Sequence, residues 1–176
     1  LLVKKYVIDN PNSHHINKVV FVGVPNTGAP KAVKVFVQGD GFGMPWLADE
    51  EMKKLALNLP VVYDLAPSQE YYNNKGSYFK TIKQKFLSRD EIQDLSQQET
   101  INWLVNKRGM NQTAYDNATA LHTENFDNFD LRTQGVDLYN IAGCKSATIG
   151  KIIEKDQGKT IFGDPITTYL KPTETP

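Results

Sequence analysis

The chain has 176 residues, with 20 lysines and arginines against 20 aspartates and glutamates, so its formal net charge is zero. This balance gives no bulk attraction to nucleic acid or to an anionic membrane. A single cysteine, Cys144, excludes an internal disulfide and a zinc site built on cysteines. No apolar run reaches the roughly 18 residues that a membrane span needs. No metal or other cofactor is expected, and no compartment is indicated.

The first elements have the order helix then strand, which is typical of a parallel α/β sheet. Residues 1–8 place apolar side chains on one helical face around Lys4 and Lys5, and Pro11 ends the pattern. Residues 19–24 form a continuous β-branched and aromatic run. Such a run predicts a strand that is buried on both faces.

The middle of the chain, 32–134, is predicted to consist of helices and long loops with almost no strand. Capping boxes are indicated at 88–91 and 96–99, because in each a serine is followed three residues later by a glutamate. Gly109 is placed to end the helix that the second box begins.

Strand signals return towards the end of the chain. Phe126 and Phe129 are expected to anchor a loop before the first of these strands. Residues 136–143 are predicted to form a core strand, and residues 151–163 a hairpin that turns at Gly158.

The sheet elements therefore bracket a section of roughly a hundred residues, which is far longer than an ordinary connection. This arrangement predicts an α/β core from 1–31 and 135–176, the latter ending in a linker. The intervening section, 32–134, is predicted to be an inserted helical lobe.

The loop after the first strand has the glycine spacing of a phosphate-binding loop, with Gly23 and Gly28 five residues apart. The following residues do not fit that function. Ala29 stands where a lysine should contact phosphate, and Pro30 stands where a hydroxyl should bind magnesium. Pro30 also removes a backbone N–H from the place where the cradle of donors is needed. A phosphate loop is therefore excluded.

Four segments, taken in order, carry a resemblance to a known family. They are VPNTGAPKAVKVF at 24–36, VKVFVQGDGFGMP at 33–45, VVYDLAPS at 61–68 and VDLYNIAGCKSATIG at 136–150. They resemble the exit from a late core strand, two cap segments and the next core strand of lecithin:cholesterol acyltransferase-like α/β-hydrolases, which include phospholipases and bacterial lipases. The resemblance implies an α/β-hydrolase parallel sheet with an inserted helical cap, or lid.

The resemblance also implies a serine nucleophile in a G-x-S-x-G elbow that is followed directly by a helix. The helix at 1–8 is similar to that helix without its elbow, and the chain contains no G-x-S-x-G. The family's Gly-Asp segment is not found after 136–143, and its histidine comes later still. We therefore expect the chain, which starts at Leu1 without a signal peptide, to be an internal fragment. The catalytic triad would lie outside it, so the chain alone is expected to be inactive.

The parent enzyme implied by the resemblance is a lipase or acyltransferase acting on lipid or other carboxylic esters. Hydrolysis and acyl transfer differ in whether water or an alcohol resolves the acyl-enzyme, and the sequence leaves both open. The alternative is a non-enzymatic α/β module that binds a ligand or a partner through its helical lobe.

Two stretches are candidates for contact with the substrate, one in the loop after the first strand and one in the glycine- and proline-rich stretch 41–47. For the second stretch, packing of cap on core is the preferred interpretation and peripheral contact with lipid is the other. The candidate residues are Pro25, Asn26, Thr27, Phe42, Met44, Trp46 and Leu47.

The remaining polar residues receive structural interpretations. His14 and His15 are expected to lie at the end of the first helix, where the helix dipole favours histidine. His122 is interpreted as an ordinary surface residue, and Cys144 as a small buried apolar residue. The acidic cluster at 49–51 is expected in the first turn of a helix.

Overall fold

A computed structural model describes residues 1–41, 43–44, 46–83, 91–143, 148–156 and 173–175. Over these residues the chain is α/β, as predicted. The helices are α1 (Leu2–Asp9), α2 (Pro30–Gln38), α3 (Asp49–Asn58), α4 (Pro60–Tyr63), α5 (Gln69–Lys75), α6 (Gln97–Arg108), α7 (Gln112–Leu121) and α8 (Glu124–Asp127), with a 3₁₀ helix at Leu131–Gln134. The strands are β1 (Lys18–Val22), β2 (Phe79–Lys83), β3 (Glu91–Asp94), β4 (Asp137–Ile141), β5 (Thr148–Asp156) and β6 (Thr173–Thr175).

Strands β1 and β4 pair in parallel, with Val20 opposite Tyr139 and Val22 opposite Ile141. The predicted strands at 19–24 and 136–143 are thus confirmed to within two residues at each end. The predicted parallel arrangement is also confirmed by the register of the two strands, and the connection between them is more than a hundred residues long.

The prediction that β1 is buried on both faces is wrong. On one face Val19 is buried and packs with Leu138. On the other face Val20 and Val22 are 50% and 66% exposed, beside Tyr139 and Ile141 at 53% and 57%. Successive side chains of a strand point to opposite faces, and no described element covers the second face.

A second sheet, in the order β3–β2–β5–β6, corrects the prediction that the middle of the chain is almost free of strands. β2 pairs antiparallel with β3 and parallel with β5. Both β2 and β3 are short and rich in charged residues, so their apolar pattern is weak.

Two predictions about local structure fall on this sheet. The prediction of a capping box at 88–91 is wrong, because Glu91 begins the strand β3 and not the first turn of a helix. Residues 88–90 lie outside the described residues. The first arm of the hairpin predicted at 151–163 lies in β5, which pairs with β2. Its turn at Gly158 and its second arm lie outside the described residues.

The buried apolar side chains form two clusters. The smaller cluster joins α1, β1 and the segment 129–138, with Val7, Val19, Leu131 and Val136 buried. The larger cluster joins the helices and the second sheet of the middle section. Its members include Val33, Phe36, Tyr63, Tyr78, Phe79, Leu104, Tyr115 and Ile152.

The segment 123–135 is more regular than the predicted loop, because it contains α8 and the 3₁₀ helix. Phe126 is 4% exposed, and Phe129 packs against the smaller cluster. The expectation that both aromatic side chains anchor this segment is confirmed.

The start and the end of α6 are as predicted. Ser96 accepts a hydrogen bond from the backbone N–H of Glu99, and the Glu99 side chain accepts one from the backbone N–H of Ser96. Gly109 ends the helix with φ at 69°, in the left-handed region that glycine adopts without a steric penalty.

We expect Ser96→Ala to lower the free energy of unfolding by about 1 kcal/mol, because the N–H at the third helical position loses its acceptor. The measurement is urea unfolding followed by circular dichroism. Ser13→Ala, in an exposed turn between α1 and β1, serves as the matched control and should change nothing measurable. Equal losses in the two variants would contradict the capping role.

Candidate functional site

The site is built on the loop that leaves the carboxyl end of β1. The N–H of Gly23 donates to the carbonyl of Ile141 at 2.9 Å, which ties the start of the loop to β4. A turn follows, in which the N–H of Gly28 donates to the carbonyl of Pro25 at 3.0 Å. Helix α2 then begins at Pro30, whose missing N–H costs nothing at a helix start.

Two backbone hydrogen bonds fix this loop against the segment 65–68. The N–H of Ala29 donates to the carbonyl of Leu65 at 2.9 Å, and the N–H of Ser68 donates to the carbonyl of Thr27 at 3.0 Å. Gly28 lies between these bonds. The N–H groups of residues 28 and 29 are therefore occupied, which agrees with the exclusion of a phosphate-binding loop.

An apolar groove of about 350 Å³ lies beside this loop, between α2, α3 and α4. Among the described residues that line it, Lys31 carries a charge and the others are apolar. The loop contributes Pro25 and Ala29. The helices and the turn after α4 contribute Ala32, Val35, Met52, Leu55, Ala56, Leu59, Val62 and Leu65.

Helical spacing explains how one face of α3 comes to line the groove. Met52, Leu55 and Ala56 occupy positions i, i+3 and i+4, which lie on one side of a helix, and Leu59 follows directly after the helix end. Ala56 is 3% exposed, whereas Leu55 and Leu59 are 53% and 47% exposed. The groove is therefore closed at its base and open to the outside along its upper edge.

The structure places the first group of predicted substrate residues at or near the groove. Pro25 lines it. Asn26 is half-buried, and its buried Oδ1 has no hydrogen-bond partner among the described residues. Thr27 is also half-buried, and its carbonyl is used to hold residue 68.

The described residues of the second group, Met44, Trp46 and Leu47, are not part of the groove lining. Met44 is 41% exposed and Trp46 is 78% exposed, while Leu47 is half-buried. Phe42 lies outside the described residues. Packing of cap on core does not hold for Trp46, whose side chain is mostly in contact with solvent. Contact of this stretch with lipid stays a prediction.

The stretch is attached to the first turn of α3. Asp49, predicted for that turn, accepts a hydrogen bond from the N–H of Gly41 at 2.6 Å. Lys34 on α2 and Asp40 form an ion pair of 3.3 Å. These contacts hold the start of the stretch beside α2.

His122 is not the ordinary surface residue that the sequence suggested. It is 8% exposed at the end of α7. Its Nδ1 lies 2.6 Å from Asp127 Oδ1, and its Nε2 lies 2.7 Å from the carbonyl oxygen of Asp64. Burial lowers the pKa of His122, but the hydrogen bonds to these two acceptors outweigh burial and raise the pKa. In the sequence, the one signal for this pair is the aspartate that follows His122 after five residues.

A second buried polar group joins α6 to β5. Glu154 is 2% exposed and accepts a hydrogen bond from the Trp103 indole N–H at 2.5 Å. The Arg108 guanidinium also donates to it. Trp103 and Arg108 are five residues apart on one helix, but nothing in the sequence connects them with a glutamate 46 residues further along. We interpret this group as structural.

Two absences hold for the described residues. No group of three or more histidine, cysteine, aspartate or glutamate side chains there is arranged to hold a metal ion. No helix in the same residues is both long enough and apolar enough to cross a membrane.

The geometry defines an α/β chain in which a loop at the carboxyl end of a parallel strand leads into a helical section with an apolar groove. A family model described as Lecithin:cholesterol acyltransferase matches residues 2–154, which include β1, the loop, the groove and β4. The chain belongs to this family. A search of curated proteins gives no match.

Proposed function

We propose that this chain acts within a lipase or acyltransferase for lipid or other carboxylic esters, and that the apolar groove receives the acyl chain of the substrate. The observation that carries the proposal is the groove itself. It has an apolar lining, a volume of about 350 Å³, and a position beside the loop at the carboxyl end of β1. Ligands of open α/β sheets bind at such strand ends, and ligand pockets start at about 300 Å³.

An acyl chain would gain binding free energy here mainly by leaving water. Each buried methylene contributes about 0.8 kcal/mol, so six methylenes contribute roughly 5 kcal/mol before the entropic cost of binding is subtracted. The ester end of the chain would then lie towards Pro25, because this residue lines the groove where β1 ends. Asn26 is the next residue of the loop, and its buried Oδ1, which has no partner among the described residues, would be the acceptor offered to a substrate hydroxyl or amide.

The division of the chain into parts is also a proposal. The predicted division assigns 1–31 and 135–176 to an α/β-hydrolase core and 32–134 to its cap. Because β5 pairs with β2, we propose that β5 extends the cap sheet and that the core strand of the last part lies within 135–143. The exposed face formed by Val20, Val22, Tyr139 and Ile141 supports a larger core, since a strand pair with these residues would bury them against a further layer.

In this scheme the catalytic triad is supplied by sequence outside the chain. The serine would attack the ester carbonyl, and the histidine would accept and return its proton. Water or an alcohol would then resolve the acyl-enzyme. The chain contributes the acyl-chain groove and part of the core sheet, and we expect no ester hydrolysis from the chain alone.

Met44, Trp46 and Leu47 are proposed to contact the lipid surface from which the substrate is taken. The support is the 78% exposure of Trp46 on a loop that α3 and α2 hold in place. Tryptophan suits a lipid–water boundary, because its ring is apolar while its N–H stays hydrated.

The groove is tested by the binding of a monomeric acyl probe such as decanoate, measured by calorimetry. Leu55→Gln replaces a groove residue that is 53% exposed, and we expect about a tenfold loss of affinity because a leucine contact is removed. Ile92→Gln is the matched control, since Ile92 is 62% exposed on β3 and does not line the groove. Equal affinity of both variants and the unchanged chain, or no binding at all, would overturn the proposal.

A further inference from the structure

His122 lies between elements that contribute to the two apolar clusters. The helix before it, α7, contributes Tyr115 and Ala118 to the larger cluster. Its partner Asp127 belongs to α8, whose backbone carbonyl at residue 127 accepts a hydrogen bond of 2.8 Å from Lys4 of α1. Helix α1 contributes Val7 to the smaller cluster. The imidazole therefore joins a chain of contacts that runs from one cluster to the other.

The hydrogen bonds of His122 require an additional proton. The backbone carbonyl of Asp64 only accepts, so Nε2 must carry a hydrogen. An ionised Asp127 carboxylate also only accepts, so Nδ1 must carry one as well. An imidazole with a hydrogen on both nitrogens is positively charged. If it loses one proton, one of the two bonds is lost: the lone pair of Nδ1 then faces the Asp127 carboxylate at 2.6 Å, or that of Nε2 faces the carbonyl oxygen of Asp64 at 2.7 Å.

We propose that protonated His122 is a pH-sensitive latch, which links the end of α4 on the larger cluster to α8 and α1, and which loosens when one of its two protons is lost at raised pH. The inference does not depend on the proposed function, because it rests on different residues. The latch would couple the stability of the two clusters strongly at mildly acidic pH and weakly at mildly alkaline pH.

The charges around His122 determine the direction of the effect. Asp127 of α8, Asp64 at the end of α4 and Glu70 of α5, which lines the same small pocket, are acidic. Lys4 of α1 is basic, and burial lowers its pKa. Because the pKa of His122 in the folded chain is raised above its ordinary 6.5, its stabilisation is complete below that value. The stabilisation is lost as the pH rises through the raised pKa.

Thermal unfolding at pH 5.5 and pH 8.5 tests the latch. The melting temperature of the unchanged chain should exceed that of His122→Gln at pH 5.5, and this difference should shrink by about 5 °C at pH 8.5. This is the size expected for a charged hydrogen bond in a chain of this length. His15→Asn is the matched control, since His15 is exposed and asparagine tolerates its positive φ of 53°. This control should follow the unchanged chain. Parallel pH profiles for His122→Gln and the unchanged chain would overturn the proposal.

A second measurement needs no loss of the histidine. The imidazole of His122, followed by nuclear magnetic resonance, should titrate above 6.5 in the unchanged chain and lower in Asp127→Asn. Amide hydrogen exchange in α8 and α1, corrected for the intrinsic effect of pH, should accelerate above the titration midpoint. The latch would be contradicted if His122 titrated below 6.5 in the unchanged chain. It would also be contradicted if the corrected exchange rates in α8 and α1 did not change across the midpoint.

Discussion

Gly28→Ala is expected to lower the free energy of unfolding by at least about 3 kcal/mol, and it would also disrupt the groove. Gly28 has φ at +86°, and a Cβ placed there would lie 2.2 Å from the carbonyl oxygen of Ala66. The neighbouring hydrogen bonds, Ala29 to Leu65 and Ser68 to Thr27, leave the backbone no room to move away. Urea unfolding followed by circular dichroism gives the change in free energy.

Gly23→Ala separates the effect of the contact from that of the backbone conformation. Gly23 has φ at +59°, but a Cβ there would meet nothing within 4 Å. We expect this control to lose only about 1 kcal/mol, the cost of the left-handed conformation. If Gly28→Ala were no more destabilising than Gly23→Ala, the close approach between the loop and residues 65–68 would be wrong.

Glu154→Gln is expected to destabilise the chain by about 3 kcal/mol, because it removes the carboxylate from a buried ion pair and leaves the Arg108 charge with one partner fewer. The side chains of Glu154 and Arg108 are 3% and 13% exposed, so water can replace the lost interaction only poorly. The measurement is again urea unfolding, with the fluorescence of Trp103 as a local reporter.

Glu51→Gln is the matched control for this ion pair. Glu51 pairs with Lys54 at 2.9 Å on the surface of α3, where both side chains are about two-thirds exposed. Exposed pairs contribute little, so we expect no measurable change. Similar losses for Glu51→Gln and Glu154→Gln would contradict the buried position of Glu154.

The parts of the fold that the sequence predicted are those with local signals. The strands around Val20 and Tyr139, the capping box at Ser96 and the helix end at Gly109 each follow from a few adjacent residues. The second sheet could not be predicted in this way. β2 becomes a strand through its pairing with β5, about seventy residues later, and no local pattern encodes that pairing.

Sequence reasoning reached one edge of the candidate groove, the loop at 25–27, and the substrate role of these residues stays a prediction. The loop at 25–27 follows a clear strand, and its resemblance to a known family directed attention to it. The apolar face of α3 was also readable from its helical spacing, but that spacing alone does not tell a core face from an open groove. The pairing of His122 with Asp64 depends on tertiary contacts across 58 residues.

The binding of an acyl chain in the groove can be tested directly through the three methionine methyl groups of the chain. Met52 lines the groove, Met44 lies on the exposed stretch, and Met110 is 3% exposed in the larger cluster. In a titration with monomeric decanoate followed by nuclear magnetic resonance, we predict a saturable shift of the Met52 methyl signal, with Met110 unchanged. A Met52 signal that does not move, or three signals that move together, would contradict the acyl-chain groove.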